Sequence, residues 1–478
     1  MNKLKAGIAV VLGALALGAC DDITIPDYSN PPLEELLNSP TPDLLLQAAT
    51  GVLQGTRSDM DLYVLITGIA GREGYFLDAN EARYVTRIFN GNPQASNFTG
   101  SSYWTLPYRN IRTANILIAG LDKVDMGAAD EEAIRGFAKT MQAISYLQLL
   151  NTRERIPVYV NTPLDSLFYP APLVDRGPAF AFISGLLDEA QVHLQKAGSA
   201  FPFPMPTGFT NFDFDDPAKF IQMNRALKVR VEVYRATLST TPDVARYQAA
   251  IAVLPQTFIT TTGAVDPTGD RSLLNLGAYQ TFSGASGDVP NSLSDPSGKT
   301  VAEPKLRTDA EFRANGQRDA RYVVKIDSTS NSPTVGGLSS PLRFTLYTSR
   351  PFFGQGGLAS PIPIIRNEEL ILLRSEARWF TGNRPGAMAD LNFIRVNSGG
   401  LAPIAEPATD AAFIQALLKE RRYSLMFEGG HRWIDYRRFG LRSSLPATGT
   451  PRIVNNAPNF GSSVTYFPLP NNEVNARL

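Results

Sequence analysis

Apolar residues recur every three or four positions in several stretches of this chain, and that spacing constrains the fold more than any other feature. The stretches are 111–121, 134–148, 220–238, 370–380 and 411–426. Such spacing puts the apolar side chains on one face of an α-helix. Thr41-Pro42 and Asp216-Pro217 each place a capping side chain directly before a proline, as at a helix start. The pattern predicts a mainly α-helical protein.

Long stretches between the predicted helices are rich in Gly, Pro, Ser, Thr and Asn. They cover residues 72–103, 156–176, 199–215, 256–364 and 440–478. Loops of this length are uncommon in a compact domain unless they have a function. Small residues such as Ala226 and Ala377 suit close helix crossings, but no fixed period of about 34 residues is evident. The sequence therefore predicts a degenerate helical-repeat scaffold with large irregular loops and few short strands.

The N-terminus has the layout of an export signal. Two lysines precede an uncharged, mostly apolar run over residues 6–17, and small residues then lead into Cys20. The run is shorter than the roughly 17–25 residues that a membrane-spanning helix needs. Because Cys20 is the only cysteine, it has no partner for a disulfide. We predict a signal peptide at residues 1–19, followed by Cys20 and a proline-rich extended tether that together cover residues 20–40.

The tetrad Leu17-Gly18-Ala19-Cys20 resembles the bacterial lipoprotein signal, in which the cysteine thiol is acylated, with palmitate for example, and becomes the new N-terminus. This resemblance implies attachment to the outer membrane through an N-terminal lipid. Asp21-Asp22 fits an acidic tag for export to the cell surface, but in other bacteria it could be a retention signal. The sequence therefore leaves the membrane leaflet open.

The charge balance argues against nucleic acid as a partner. The chain has 45 basic and 45 acidic residues, and removal of the signal peptide takes away two lysines. Nucleic-acid binding needs a basic face, which so even a balance does not supply. The composition thus gives no support to a nucleic-acid partner.

Several motifs follow one another in the C-terminal third. They are Pro-Ile-Ile-Arg-Asn-Glu-Glu at 363–369, Ala-Asp-Leu-Asn-Phe-Ile-Arg at 389–395, Glu-Arg-Arg at 420–422, Phe-Glu-Gly-Gly-His-Arg-Trp at 427–433 and Tyr-Phe-Pro-Leu-Pro at 466–470. In this order and spacing they resemble the SusD/RagB family of outer-membrane nutrient-binding lipoproteins. Trp104, Tyr108 and Asn115 are similar to the upstream half of the family. The resemblance covers nearly the whole mature chain.

The resemblance implies four tetratricopeptide-like helix pairs, with the ligand site on a less regular face. It implies a non-catalytic lipoprotein that captures oligosaccharide or peptide nutrients and delivers them to a SusC-like TonB-dependent outer-membrane transporter. We expect one SusD-like domain over residues 41–478, with an N-terminal part of about 41–255 and a C-terminal part of about 256–478. The alternative is a lipid-anchored helical-repeat adaptor for envelope assembly, without a small ligand.

The loop 72–103 is the best candidate for the ligand site, because it is too polar for a core yet contains several rings. Rings can stack on sugars, and amide and guanidinium groups can bond to hydroxyls. The predicted ligand-binding residues are Tyr75, Asn80, Arg83, Tyr84, Phe89 and Asn92, with Tyr279 and Phe282 from a later loop. For each ring the alternative is a partly buried loop anchor. A long loop of aromatic and Asn residues favours the binding protein over the adaptor.

The segment 420–440 groups carboxylates, arginines and His431, but we interpret it as a structural block. Glu428 and Arg432 are four residues apart and could pair on one helical turn, while Gly429-Gly430 would interrupt the helix. The arginines could satisfy buried carboxylates and carbonyls. The block is therefore predicted to join the last helices to the scaffold.

Catalytic and metal-binding patterns are weak. The chain has only two histidines, His193 and His431, and no Gly-x-Ser-x-Gly motif. A Cys/His zinc set is absent, and residues 211–216 alternate oxygen-bearing side chains like a calcium loop without its glycine and distal glutamate. Capping of the following helix is the other interpretation of that segment. We predict no catalytic residues, no metal and no cofactor.

Overall fold

Pairs of antiparallel helices form the body of the protein in a computed structural model. The structure describes residues 33–96, 98, 102–158, 171–330, 332–348, 352–354, 356–445, 452–454, 457–459 and 463–478. The predicted signal peptide and Cys20 lie outside the described residues. Side chains are described from Leu36 onward, except at 101–102 and 451–462 and in the gaps between these ranges.

Fourteen helices of five or more residues occur in the described ranges. They are α1 Leu33–Asn38, α2 Pro42–Arg57, α3 Met60–Ala70, α4 Ser102–Leu121, α5 Ala128–Thr152, α6 Arg176–Leu194, α7 Pro217–Arg235, α8 Val244–Val253, α9 Ala320–Lys325, α10 Asn367–Phe380, α11 Arg384–Asn397, α12 Asp410–Ser424, α13 His431–Arg438 and α14 Asn471–Asn475. Shorter turns of helix are Ala79–Glu81, Thr207–Thr210, Leu254–Gln256, Ser272–Asn275, Ser292–Ser294, Lys305–Thr308, Gly357–Ala359 and Arg442–Ser444, and a π-helix covers Tyr84–Phe89.

Eight of these helices stack as four pairs within the described part of the chain. The pairs are α2 with α4, α5 with α6, α7 with α8, and α10 with α11, and successive pairs pack on one another. Each pair buries the apolar face of its helices against its neighbours, as in helical-repeat proteins. The predicted mainly α, helix-pair scaffold is confirmed.

Local signals account for where several helices begin. The Thr41 hydroxyl accepts a hydrogen bond from the Leu44 N–H at 3.3 Å, and Asp216 Oδ1 accepts one from the Ala218 N–H at 2.7 Å. Such caps satisfy backbone donors that have no partner inside the helix. The segment 211–216 thus leads into α7 as a cap, and Phe214 within it is buried in the core.

The strands are short and lie in the loops. They are β1 Gly74–Phe76, β2 Arg155–Pro157, β3 Leu173–Asp175, β4 Gly277–Gln280, β5 Thr300–Ala302, β6 Ile326–Ser328, β7 Leu342–Phe344, β8 Ile362–Arg366, β9 Arg452–Val454 and β10 Ala457–Asn459. One antiparallel sheet has the order β1-β5-β7-β6, and three strand pairs join β2 to β3, β4 to β8 and β9 to β10. In the larger sheet Tyr75 lies opposite Val301.

The described residues form two large apolar cores. The first fills the helix stack and contains Phe220 of α7 together with Leu370 of α10, so it crosses the predicted boundary near residue 255. The second lies under the irregular face and joins α3, the four-stranded sheet and Trp433 of α13. The second core holds the irregular face against these helices, because removing apolar side chains from water is favourable.

The predicted tether is shorter than expected on its C-terminal side. Residues 33–38 form helix α1, which packs on α4, and Leu36 is buried. Lys123 donates a hydrogen bond to the Leu37 carbonyl. The extended conformation predicted up to residue 40 is therefore wrong from residue 33 onward, because Leu33-Glu-Glu-Leu-Leu37 is a helix-forming run with an apolar side to bury.

Candidate functional site

Three aromatic rings meet at the surface of the loop 72–103. The Phe76 and Tyr84 ring centroids are 4.6 Å apart, and the Tyr84 and Phe98 centroids are 5.0 Å apart with planes at 81°. The Arg83 guanidinium carbon lies 4.3 Å from the Phe98 centroid. All three rings are half-buried, so each packs on the protein and leaves part of its area accessible. We call Phe76, Tyr84 and Phe98 the aromatic surface.

Strand β1 and the π-helix hold the aromatic surface in place. Successive side chains of a strand point to opposite faces, so Tyr75 enters the core while Phe76 faces outward. The last residue of the π-helix, Phe89, packs edge-on against Tyr75 with centroids 5.2 Å apart. The Arg72 guanidinium carbon lies 3.8 Å from the centroid of Phe89. The surface thus rests on a rigid layer, and π-helical turns are frequent at functional sites.

The loop that forms the aromatic surface also carries exposed polar side chains. Asn80 is exposed on the turn Ala79–Glu81, and Asn92 is exposed after the π-helix. Arg83 donates from Nε to Glu81 Oε1 at 2.6 Å and also contacts Glu81 Oε2 through Nη2. The amides can bond to hydroxyl or peptide groups of a ligand, and Arg83, which places two of its five donors on Glu81, keeps others for a ligand.

The Tyr84 hydroxyl is held in its neutral form. Burial, followed by the charges of Glu81 and Asp61, raises the pKa of Tyr84 to about 12. A neutral phenol can both donate and accept a hydrogen bond. Tyr84 therefore combines a ring for stacking with a hydroxyl for a polar ligand.

Four of the predicted ligand-binding rings are core residues. Tyr75, Phe89, Tyr279 and Phe282 are each at most 5 % exposed. Strand pairing of β4 with β8 buries Tyr279, whose hydroxyl donates to the Asn275 carbonyl. Phe282 belongs to the core under the irregular face. The prediction that these four rings stack directly on a ligand is therefore wrong, because they are buried. They support the loop from within the core, as in the loop-anchor alternative.

The other four predicted residues lie at or near the surface. Asn80, Arg83 and Asn92 are exposed and Tyr84 is half-buried, so the structure leaves them available to a ligand. Phe76 and Phe98 were missed by the prediction. No local signal selects Phe76 over Tyr75, because Tyr75-Phe76-Leu77 are all apolar and do not indicate which face of the strand is buried.

Known proteins share this fold. Residues 352–477 match the model of the SusD family. A SusD-like protein from Bacteroides fragilis superposes with a TM-score of 0.68 at 16 % identity, covering 93 % of this chain and 98 % of that chain. The fold is SusD-like. The predicted resemblance to the SusD/RagB family is confirmed.

Two further structures with the SusD-like fold have names that mention a ligand. A SusD-like carbohydrate binding protein from B. fragilis has a TM-score of 0.67 at 14 % identity and covers 93 % of this chain and 99 % of its own. Surface glycan-binding protein A from Bacteroides uniformis has a TM-score of 0.65 at 17 % identity, with coverage of 91 % and 98 %. A search among curated proteins gave no match.

A buried ionic network connects residues 352–477, the segment that matches the SusD family, to Lys325 of α9. Glu428 Oε1 accepts from Lys325 Nζ at 2.8 Å, and Glu428 Oε2 accepts from Arg366 Nε at 2.8 Å. Arg366 also pairs with Glu368, and all four side chains are at most 2 % exposed. Removing one member of such a cluster leaves a buried charge without its partner. This network joins α9, β8 and α10 to the segment between α12 and α13.

The predicted pair of Glu428 with Arg432 is wrong. Helix α12 ends at Ser424 and α13 begins after Gly430, whose φ is 73°, so the two side chains do not share a helical turn. The predicted interruption at Gly429-Gly430 is thereby confirmed. Arg432 instead lies among the charges of Arg422, Glu73 and Glu303.

Other arginines of the block do satisfy buried acceptors, as predicted. Asp435 accepts from Arg421 Nε at 2.6 Å and from Arg438 Nε at 2.9 Å. Arg437 donates to the Thr465 carbonyl at 3.0 Å and stacks on Trp433. The block is a structural joint of the SusD-like fold.

The two histidines have ordinary structural surroundings. His193 Nδ1 lies 2.8 Å from Glu132 Oε2 on the neighbouring helix α5. His431 is buried at the start of α13, and burial lowers its pKa to about 4, so it is neutral near neutral pH. Within the described ranges neither ring bonds to a serine hydroxyl.

A small cavity lies where the helix stack meets α13. It measures about 60 Å³ and is lined by Thr56, Tyr63, Gln148, Asn151, Arg230, Gln280 and His431 among others. Ligand pockets for small molecules usually measure about 300–1,000 Å³. The cavity has room for a few water molecules and is too small for an oligosaccharide.

Two searches of the described residues gave negative results. They contain no cluster of three or more His, Cys, Asp or Glu side chains arranged to hold a metal ion. Among them, no helix combines the length and the apolar character needed to cross a membrane.

Proposed function

We propose that this protein binds oligosaccharides, or alternatively peptides, at the cell surface and delivers them unchanged to a SusC-like TonB-dependent transporter. The aromatic surface carries the proposal. Phe76, Tyr84 and Phe98 form a contiguous half-buried platform, and the same loop carries exposed amides at Asn80 and Asn92. Ring faces favour the apolar side of a sugar, and amides favour its hydroxyls.

Several observations support oligosaccharide as the first ligand class to test. Two structures with the same fold are named as carbohydrate- or glycan-binding proteins. The platform lies on loops that a rigid helix stack supports, which is the usual arrangement for a recognition surface. The cavity between the helix stack and α13 is too small for such a ligand, which favours a site on the surface of the described residues.

Lipid attachment through Cys20 completes the proposal. Stable anchoring takes more than one acyl chain, which a lipoprotein N-terminus provides. Confinement to one membrane raises the local concentration of the protein and its transporter for each other. Residues 21–32 would then link the anchored cysteine to helix α1.

Calorimetric titration with a panel of neutral and acidic oligosaccharides and peptides tests the binding. Tyr84→Ala removes the ring that touches both Phe76 and Phe98, and we expect affinity to fall by roughly tenfold or more. Phe312→Ala is the matched control, because Phe312 is a 63 % exposed ring that stacks on Arg318 outside the aromatic surface. The control should bind like the unmodified protein.

Two outcomes would contradict the proposal. Failure to bind any member of the panel, together with stable association with another envelope protein, would favour the adaptor. Chemical turnover of a panel member would indicate an enzyme.

Replacement of the lipidated residue tests delivery. A Cys20→Ser protein should fold and bind ligand but leave the membrane fraction and fail to support uptake. Growth on the bound nutrient and cell fractionation measure the two effects. Normal uptake by this variant would show that the anchor is dispensable.

A further inference from the structure

Two arginines meet at the ring of Tyr466. The guanidinium carbons of Arg176 and Arg437 lie 5.2 and 4.7 Å from the centroid of that ring, so they are at most about 10 Å apart. Within the described part of the chain both arginines bond to backbone carbonyls, and neither makes an ion pair. Arg176, Arg437 and Tyr466 are all half-buried. We call Arg176 and Arg437 the arginine pair.

Arg176 keeps one edge of its guanidinium for a ligand. Its Nη1 donates to the carbonyl of Leu150 and, at 2.9 Å, to that of Arg153, which fixes this end of the group. Nε and Nη2 make no hydrogen bond to a described residue, and neither of these two atoms is fully buried. The Nε–Nη2 edge of an arginine is a planar fork that can bind a carboxylate through two parallel hydrogen bonds.

Arg437 adds a second charge in a fixed position. It donates to the carbonyls of Asn151 and, at 3.0 Å, Thr465, and its guanidinium carbon lies 3.8 Å from the centroid of the Trp433 ring. Burial and then the charge of Arg176 lower the pKa of Arg437 to about 9. The two cations therefore act on each other, and a bound anion would offset their repulsion.

The acidic side chains near the arginine pair do not cancel its charge. Burial lowers the pKa of Arg176, and the charges of Tyr466 and then Glu154 oppose that shift. Glu154 is exposed and makes no ion pair with a described residue. Asp175 is already paired with Arg155 at 2.8 Å. Two arginines thus face one unpaired carboxylate, which leaves a net positive charge.

We propose that the arginine pair binds the carboxylate of an acidic ligand, supplied either by a uronic acid of an oligosaccharide or by the C-terminus of a peptide. The Nε–Nη2 edge of Arg176 holds the carboxylate in a bidentate pair, and Arg437 adds its charge. These arginines belong to α6 and α13 and not to the loop 72–103, so the inference goes beyond the ligand surface of the proposed function.

Calorimetric titration of the purified protein compares probes that differ only in the carboxylate. Oligogalacturonate is matched with its methyl ester, and N-acetylated penta-alanine with a free C-terminus is matched with the C-terminal amide. We expect at least one acidic probe to bind at least tenfold more tightly than its uncharged counterpart. Its affinity should fall at least threefold between low and high salt, because the contact is an ion pair at the surface.

Variants of Arg176 separate the fork from the charge. Arg176→Gln removes both and should lower the affinity for that acidic probe at least tenfold, whereas Arg176→Lys keeps a charge without the fork and should lower it at least threefold. Arg318→Gln is the matched control, because Arg318 also makes no ion pair within the described residues, donates to the Ala310 carbonyl at 3.2 Å and stacks on Phe312. The control should bind like the unmodified protein. Circular dichroism checks the helical fold of each variant.

Several outcomes overturn the carboxylate site. Equal affinity for each acidic probe and its uncharged counterpart overturns it without any variant, and so does failure of both acidic probes to bind, including the case in which inorganic phosphate alone binds. Unchanged affinity in Arg176→Gln, or full affinity in Arg176→Lys, overturns the bidentate contact. Failure of every neutral oligosaccharide to bind would overturn the aromatic surface as their site and leave the carboxylate site standing.

Discussion

Glu73 should make the stability of the protein depend on pH. The residue lies between α3 and β1 and is 1 % exposed. Its Oε1 accepts from the Phe427 N–H at 3.2 Å, while Oε2 has no hydrogen-bond partner in the described structure. Burial raises the pKa of Glu73 from 4.5 to about 7, although Arg432 and Arg422 oppose that rise.

The direction of this pH dependence follows from proton binding by Glu73 in the folded and unfolded states. Below pH 4.5, the pKa of Glu73 in the unfolded chain, Glu73 is protonated in both the folded and the unfolded chain. The stabilisation from the proton that the folded chain holds more tightly is then fully present. As pH rises from 4.5 toward about 7, the unfolded chain releases its proton while the folded chain keeps it, so the free energy of unfolding falls. A difference between 4.5 and about 7 corresponds to about 3 kcal/mol, at about 1.4 kcal/mol per pKa unit.

Glu73→Gln isolates this effect. The amide oxygen can still accept from the Phe427 N–H, and the side chain is neutral at every pH. Relative to the unmodified protein, the variant should gain about 3 kcal/mol in its free energy of unfolding between about pH 5 and about pH 8. Urea denaturation followed by tryptophan fluorescence measures this at both pH values.

A surface substitution provides the control for Glu73→Gln. Glu189→Gln breaks an ion pair whose glutamate side chain is 59 % exposed, and exposed pairs contribute little to stability. Its effect should be small and equal at the two pH values. If Glu73→Gln likewise shows the same stability difference at both pH values, the reasoning from burial is refuted.

Two further predictions concern the joint between α12 and α13. Glu428→Ala should lower the free energy of unfolding by roughly 3–5 kcal/mol in urea denaturation, because Lys325 and Arg366 would be left as buried charges; a loss below about 1 kcal/mol would contradict this role. Gly430→Ala should destabilise more than Gly440→Ala. Both glycines have positive φ, but only at Gly430 would the new Cβ meet another residue, 2.4 Å from Thr67 Cβ. Equal thermal shifts in the two variants would contradict the close contact.

The helical scaffold could be predicted from the sequence because its signals are local. Apolar spacing of three and four residues identified the long helices, and Thr41 and Asp216 marked two of their starts. Residues 33–38 were the exception. Their run is short, and its helix depends on packing against α4, a contact distant in sequence.

The proposed ligand surface lies in the loop that the sequence indicated, but only some of its accessible rings could be selected from the sequence. Whether Tyr75 or Phe76 faces outward depends on pairing of β1 with β5, more than 200 residues away in the chain. Tyr279 is buried by pairing with β8, which is more than 80 residues away in the chain. Composition could identify a loop rich in rings, but only strand pairing decides which rings are accessible.

The partners of buried ion pairs could not be predicted from sequence spacing either. The four-residue spacing of Glu428 and Arg432 favoured an ion pair on one helix. The helix is interrupted between them, where Gly430 has a left-handed backbone conformation. Glu428 instead pairs with Lys325 and Arg366, which come from other elements. Sequence spacing predicts partners only inside an unbroken helix.

A crystal structure of the protein with its tightest-binding oligosaccharide tests the central claim most directly. The account predicts a sugar ring in contact with Tyr84 and with at least one of Phe76 and Phe98, and a hydroxyl within hydrogen-bond distance of Asn80 or Asn92. Sugar bound elsewhere, for example on Phe312, with the aromatic surface left free, would contradict it.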